Sequence, residues 1–137
     1  MTPPESKTIL ADTSAWICFF SRKGFTDIKD TICRLLDENR VSITGPVVIE
    51  LIQGARTERE KDNIQHYING IQWLPIMDEI WVSTADMAFY LRRKGITVSA
   101  IDALIATVAI HNNCILLHKD SDYDLIAKYT DLSVYNL

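Results

Sequence analysis

Short apolar runs alternate along the chain with longer segments in which apolar residues recur at helical spacing. The runs have the length of buried strands, and a segment such as 27–39 has one apolar face, formed by Ile28, Ile32 and Leu35. Strands are predicted at 8–12, 41–44, 71–76, 114–118 and 132–135, and helices at 15–20, 27–39, 46–55, 58–68, 78–94, 99–111 and 123–129. This alternation predicts a three-layer α/β/α sandwich with a mostly parallel central sheet.

Several predicted helices are marked at their ends by residues that suit those positions. Thr13 and Ser14 are suited to cap the first helix, and proline at position 46 is tolerated in a first helical turn. Gly95 is a stop signal for the helix 78–94. Ser99 stands three residues before Asp102, which is the spacing of a capping box.

Length and composition limit the class of protein. A chain of 137 residues, 47% of them hydrophobic, predicts one domain over 1–137 with its own core. No apolar run approaches the roughly 20 residues needed to cross a bilayer, and residues 1–7 lack the apolar segment of a signal peptide. Three cysteines in apolar surroundings, Cys18, Cys33 and Cys114, predict reduced core thiols. We therefore expect a cytoplasmic protein without a membrane partner.

The charge balance disfavours general binding to polyanions. Lys and Arg number 14 against 18 Asp and Glu, giving a net charge of −4, so nucleic acid could be bound only through local basic clusters or bound cations. Eight basic residues in three segments are available as phosphate contacts, although a solvated surface position explains each of them equally well. They are Arg22, Lys23, Arg56, Arg59, Lys61, Arg92, Arg93 and Lys94.

Acidic residues occupy positions where a parallel sheet or an apolar helix makes them conspicuous. Asp12 follows the first predicted strand, and Asp120 and Asp122 follow the fourth. Open α/β sheets bind ligands at the carboxyl ends of their strands. Glu50 and Asp102 lie inside apolar helical segments that offer no evident solvated face. The positions together predict that these acids converge at one edge of the sheet.

Converging carboxylates need a compensating charge. An ionised carboxylate in apolar surroundings costs several kcal/mol unless it is paired or bound to a metal. No Lys or Arg lies between residues 41 and 55 or between 96 and 117. Hard divalent cations such as Mg²⁺ or Mn²⁺ prefer oxygen ligands and serve phosphoryl transfer, so the pattern favours a site for one of them.

Each acid also has a purely structural interpretation. Asp12 fits a turn, and Asp102 fits a helix cap. Glu50 is within reach of the arginines that follow its helix, and the segment from Asp120 through Asp122 to Asp124 fits a solvated loop that opens the last helix. The hydroxyl of Ser14 has no histidine partner that would make it a nucleophile, and it is expected to bind Asp12 or a metal-bound water.

Four acidic segments, in this order along the whole chain, resemble the motifs of PIN-domain nucleases, specifically the VapC-type toxins of bacterial toxin–antitoxin pairs. The segments read ILADTSAW (9–16), VIELIQG (48–54), SAIDALIA (99–106) and LLHKDSDY (116–123). The resemblance implies that Asp12, Glu50, Asp102 and Asp120 are catalytic and bind the metal. Asp122 is an auxiliary candidate, because His118 and Lys119 depart from the usual residues of the fourth motif and leave open which aspartate faces the ion.

The resemblance also implies an activity and partners. We expect an endoribonuclease in which Mg²⁺ or Mn²⁺ activates water to cut RNA phosphodiesters, leaving a 5′-phosphate and a 3′-hydroxyl. We further expect a homodimer and a cognate VapB-type antitoxin that inserts a basic segment into the acidic site. Two alternatives stay open: a receiver-like signalling domain with Asp12 as phosphoacceptor and Lys119 as its partner, and a PIN-like binding module without activity.

Overall fold

The central sheet of the computed structural model, which describes residues 7–137, has five parallel strands. They are β1 (Ile9–Ala11), β2 (Val41–Thr44), β3 (Gln72–Leu74), β4 (Ile115–Leu117) and β5 (Ser133–Val134), in the order β3-β2-β1-β4-β5. The chain moves outward from β1 through β2 and β3, then crosses back to place β4 on the other side of β1. This reversal opens a crevice at the carboxyl ends of β1 and β4, where such sheets bind ligands.

Seven helices connect or follow these strands in the described residues. They are α1 (Thr13–Phe20), α2 (Thr26–Asp37), α3 (Gly45–Gln53), α4 (Glu58–Asn69), α5 (Asp78–Arg93), α6 (Ala100–His111) and α7 (Asp122–Tyr129). Every predicted strand and helix is confirmed, with shifts of at most two residues at the ends. The strand predicted at 71–76 ends at Leu74, because Pro75 has no N–H to donate to a neighbouring strand.

The helices form two groups that flank the sheet. Helix α1 contacts α2 and α3, and α3 contacts α4; α5 packs along α6, which contacts α7. Helix α6 is the most buried of them, with Ala103–Ala109 buried without interruption. The predicted three-layer α/β/α architecture is therefore confirmed, and its sheet is parallel throughout.

The cysteines and the chain ends give mixed outcomes. Cys18 and Cys114 are buried as predicted, but Cys33 is exposed, because α2 turns Ile32 toward the core and its neighbour outward. Within residues 7–137, no helix is both long and apolar enough to cross a membrane. The prediction that residues 1–7 contain no signal peptide falls almost wholly outside the described residues.

Candidate metal centre

Three carboxylates converge at the carboxyl edge of the sheet. Asp102 lies in the first turn of α6, Asp120 in the loop after β4, and Asp122 at the start of α7. One carboxylate oxygen of each lies within 4.8 Å of the others, and all three side chains are half-buried. We call these three residues the acid cluster. It is the only such group of three or more His, Cys, Asp or Glu in the described part of the chain.

The loop after β4 is shaped by hydrogen bonds to its own backbone. The N–H of Asp120 donates to Nδ1 of His118 at 3.0 Å, and the N–H of Asp122 donates to Oδ1 of Asp120 at 3.0 Å. Nε2 of His118 lies 3.3 Å from Oδ1 of Asp124. The loop thereby places both Asp120 and Asp122 close to Asp102, and which of the two aspartates faces an ion stays a prediction.

Asp12 joins the site from the end of β1. It caps α1 itself, because its Oδ2 accepts from the backbone N–H of Ser14 at 3.0 Å and from the hydroxyl of Ser14 at 2.7 Å. The expectation that Thr13 and Ser14 provide the cap is thus corrected. The Ser14 hydroxyl binds Asp12 as predicted, and it also accepts from the backbone N–H of Lys119 at 2.9 Å, linking the ends of β1 and β4.

Tyr123 connects Asp12 to the acid cluster, and it was not among the residues predicted for the site. Its hydroxyl donates to Oδ1 of Asp12 at 2.8 Å and lies 3.2 Å from Oδ1 of Asp102. The side chain is fully buried, and burial together with the charges of Asp12 and Asp102 raises the pKa of Tyr123. The group therefore keeps its proton. The signal that could have found it is a tyrosine between two aspartates at the start of α7, since a buried tyrosine hydroxyl usually has a hydrogen-bond partner.

Electrostatics within the site favour a cation. Burial raises the pKa of Asp102, and the charges of Asp12 and Asp120 add to this effect, while hydrogen bonds from Tyr123 and Ser99 oppose it. Ser99 caps α6 by accepting from the backbone N–H of Asp102 at 3.0 Å, as its spacing predicted. Without a cation, the carboxylates repel one another in a partly desolvated crevice.

Glu50 differs from its expected surroundings. It is exposed, because α3 buries Val47 and Leu51 and turns the opposite face, including Ile49 with 66% exposure, toward solvent. The apolar sequence around Glu50 concealed that solvated face. Its Oε1 accepts from the hydroxyl of Thr13 at 2.6 Å, which holds Glu50 beside the residue that follows Asp12. Glu50 is not part of the acid cluster.

The eight candidate basic residues lie on the surface around the loops and helix ends. Arg93 packs over the ring of Phe89 at 5.9 Å and Lys94 over the ring of Tyr90 at 5.6 Å, both at the end of α5. No hydrogen bond or ion pair joins any of the eight to the acid cluster within residues 7–137. Their role as phosphate contacts stays a prediction.

The fold and the acid cluster define a class of protein. It is a parallel α/β domain that brings carboxylates together at the switch point of its sheet, where the strand order reverses between β1 and β4. Residues 9–129 match the PIN domain family. The chain is 34% identical over 128 residues to ribonuclease VapC11 of Mycobacterium tuberculosis and to VapC ribonuclease Mb1587 of Mycobacterium bovis. Each alignment covers 90% of this chain and 95% of the relative. The chain belongs to the PIN-domain family and, within it, to the VapC ribonucleases.

Solved structures share the fold at lower identity. The VapBC complex from Salmonella typhimurium bound to DNA contains a chain with a TM-score of 0.80 and 21% identity, covering 94% of this chain and 97% of that one. A chain of VapBC2 from Rickettsia felis has a TM-score of 0.79 and 16% identity, with 95% and 98% covered. Because the chain belongs to the PIN-domain family, the alternative of a receiver-like signalling domain was wrong.

Proposed function

We propose that this protein is the ribonuclease toxin of a VapBC-type toxin–antitoxin pair and that residues 1–137 form one nuclease domain. It cuts RNA phosphodiesters endonucleolytically with Mg²⁺ or Mn²⁺. The observation that carries the proposal is the acid cluster at the switch point of the sheet, in a chain that belongs to the VapC ribonucleases.

The donor set fits a hard divalent cation. Carboxylate oxygens are the ligands that Mg²⁺ and Mn²⁺ prefer, and the three acids of the cluster lie close enough to share one ion. Asp12 and Glu50 would complete the site from the β1 side. When bound, the ion lowers the pKa of its water and offsets the negative charge of the phosphodiester.

The protein's own residues keep these ligands in place. Ser14 and Tyr123 fix the two oxygens of Asp12, the backbone of the β4 loop fixes Asp120, and Thr13 holds Glu50. Fixed ligands need little reorganisation when a phosphodiester arrives. The bound cation also explains how a protein of net charge −4 approaches RNA.

The proposed partners follow from the family. Several related structures are VapBC complexes, which supports a VapB-type antitoxin that places a basic side chain among the acids. A homodimer is expected as well. Trp81, Val82 and Phe89 on α5 are each more than half exposed and offer apolar surface for such contacts. Light scattering on the purified protein tests the dimer directly.

Cleavage assays with and without metal test the activity. We expect the wild type to cut single-stranded or looped RNA in Mg²⁺ or Mn²⁺ and to be inactive in excess EDTA. Asp102→Asn should lower the rate by more than about 100-fold, since it removes a ligand. Asp62→Asn, which neutralises an exposed carboxylate on α4, is the matched control and should cleave like the wild type.

Other results would point elsewhere. Cleavage that persists in EDTA would exclude the metal mechanism. A protein that binds a VapB-type antitoxin but cuts no RNA in either metal would be the inactive binding module.

A further inference from the structure

We infer that the Tyr123 hydroxyl is a positioning group that holds Asp12 and Asp102 at the spacing a divalent cation needs. The inference rests on the proposed metal centre. It assigns a role to a residue that is not one of the carboxylates of the four acidic motifs. Tyr123 touches two of the proposed ligands, but it is not itself a carboxylate ligand of the ion.

The surroundings of Tyr123 hold its hydroxyl in place. The Tyr123 side chain is 0% exposed, and its ring packs against His118 with 5.2 Å between the ring centroids. A ring enclosed in this way leaves the hydroxyl one position. That position is in the crevice between the start of α1 and the start of α6, which are the two helices that bring Asp12 and Asp102 to the site.

Asp12 depends on Tyr123 for one of its hydrogen-bond donors. This carboxylate is only 4% exposed, and Ser14 supplies both donors to Oδ2. Tyr123 supplies the donor to Oδ1. Removing a donor from a buried carboxylate leaves it unsatisfied, and hydrogen bonds to charged groups are among the strong ones. The orientation of Asp12 therefore depends on the Tyr123 hydroxyl.

Tyr123 also contacts Asp102. In the described residues, only the hydroxyl of Tyr123 links the carboxylates of Asp12 and Asp102 by hydrogen bonds. The like charges of the two carboxylates repel each other. The single hydroxyl proton is shared between Oδ1 of Asp12 at 2.8 Å and Oδ1 of Asp102 at 3.2 Å, and it offsets part of this repulsion before a cation binds. Partners that orient metal ligands typically change metal affinity or activity by about 10–100-fold when removed.

The test is Tyr123→Phe, which keeps the buried ring and removes only the oxygen. We expect Mn²⁺, measured by calorimetry without RNA, to bind about 10–100-fold more weakly than to the wild type. Cleavage should need correspondingly more metal but approach the wild-type rate when metal saturates. Tyr129→Phe is the matched control on the same helix, since the hydroxyl of Tyr129 contacts no acid of the site in the described residues, and its Mn²⁺ affinity should stay unchanged.

The free energy of unfolding in EDTA distinguishes a positioning role of the Tyr123 hydroxyl from a role in packing alone. Tyr123→Phe should lower the folding equilibrium constant at least about tenfold. The loss of stability caused by Tyr123→Phe should be smaller when it is combined with Asp102→Asn. Neutralising Asp102 removes the repulsion that the hydroxyl offsets. An unchanged Mn²⁺ affinity, with or without a loss of stability, would overturn the inference. Tighter Mn²⁺ binding would also overturn it, by showing that the hydroxyl competes with the ion.

A measurement on the wild type covers the case in which Tyr123→Phe does not fold. In protein labelled with ¹³C at tyrosine Cζ, adding Mg²⁺ should shift the Tyr123 resonance and leave that of Tyr129 in place. A Tyr123 resonance that does not move while Mg²⁺ binds would contradict the inference. None of these readouts except cleavage uses RNA, so a failure of the proposed ribonuclease activity is distinguishable from a failure of the positioning role.

Discussion

At the scale of single residues, the acids of the site differ in how the metal-free protein accommodates them. Asp12 is buried and accepts three hydrogen bonds, so its charge is well solvated by the protein. Asp102 has a raised pKa, because its burial and the neighbouring charges outweigh the bonds it receives. Substituting the two residues should therefore have opposite effects on the free energy of unfolding.

Asp102→Asn should leave the stability in EDTA level or raise it at neutral pH. The folded protein disfavours ionised Asp102, so this group lowers stability above its folded pKa. As pH falls through that pKa toward the unfolded value of about 3.9, the folded state takes up the proton first and the penalty disappears. Urea unfolding in EDTA from about pH 7.5 to 4 should show the advantage of Asp102→Asn shrinking with pH.

The matched control for this experiment is Asp86→Asn, which changes an exposed carboxylate on α5. It should follow the wild type across the same pH range. A variant Asp102→Asn that is clearly less stable than the wild type at neutral pH would show that the charge serves the start of α6 rather than a metal.

Asp12→Ala should destabilise the metal-free protein by about 1–3 kcal/mol relative to Asp12→Asn. Alanine removes the cap of α1 and leaves Ser14 and Tyr123 without their acceptor. Asparagine keeps an oxygen for Ser14, and its amide can donate to the Tyr123 oxygen. Denaturant unfolding in EDTA measures the difference, and equal stabilities would mean that Asp12 is not the cap that the structure describes.

At the scale of elements, helix starts bring the site together. Asp12 caps α1, Asp102 lies in the first turn of α6, and Asp122 begins α7. Carboxylates at helix starts interact favourably with the helix dipole, which partly offsets their mutual repulsion. The same placement explains why capping and metal binding were both reasonable interpretations of these acids. Only Asp12 is a cap, whereas Asp102 and Asp122 lie in first helical turns without capping them.

Ser99→Ala should cost about 1 kcal/mol of stability in EDTA, since it removes the side-chain cap of α6. Ser99→Asn, which retains a capping oxygen, should stay near the wild type. Because the cap also borders Asp102, the alanine variant should bind Mn²⁺ more weakly than the asparagine variant. Identical unfolding curves for the two variants would show that the cap does not stabilise α6.

At the scale of the whole molecule, the proposed function assigns three ligands to one edge of the sheet: the metal, the RNA and the antitoxin. The acid cluster is half-buried and concentrates negative charge in a protein of net charge −4. An Arg or Lys side chain of a partner satisfies carboxylates as a cation does, so the proposed antitoxin and the metal should exclude one another.

Adding a stoichiometric amount of the cognate VapB-type antitoxin should therefore release Mn²⁺ from the site and stop RNA cleavage together. Electron paramagnetic resonance of free Mn²⁺ measures the release. Substituting the antitoxin's basic residue by alanine should restore metal occupancy while the complex still forms. An antitoxin complex that retains its full complement of Mn²⁺ would contradict this mode of inhibition.

The sequence by itself determined the order of strands and helices, because apolar periodicity and cap residues are local signals. Five apolar runs and seven amphipathic or apolar segments predicted every element of the parallel α/β sandwich. Strand-end acids also predicted a carboxylate site at one edge, since parallel strands place their carboxyl ends together. This rule placed Asp120 at the edge, whereas Asp102 was expected there because it lies in an apolar helical segment.

The tertiary structure alone decided which side chains meet at that edge. Glu50 lies in an apolar run, yet it is exposed, because the face that α3 buries depends on the helices it packs against. Asp122 joins the acid cluster through the turn of the β4 loop. Tyr123 reaches Asp12, 111 positions away, only once β1 and α7 are placed around the sheet. Contacts between residues so distant along the chain follow from packing, and no local pattern encodes them.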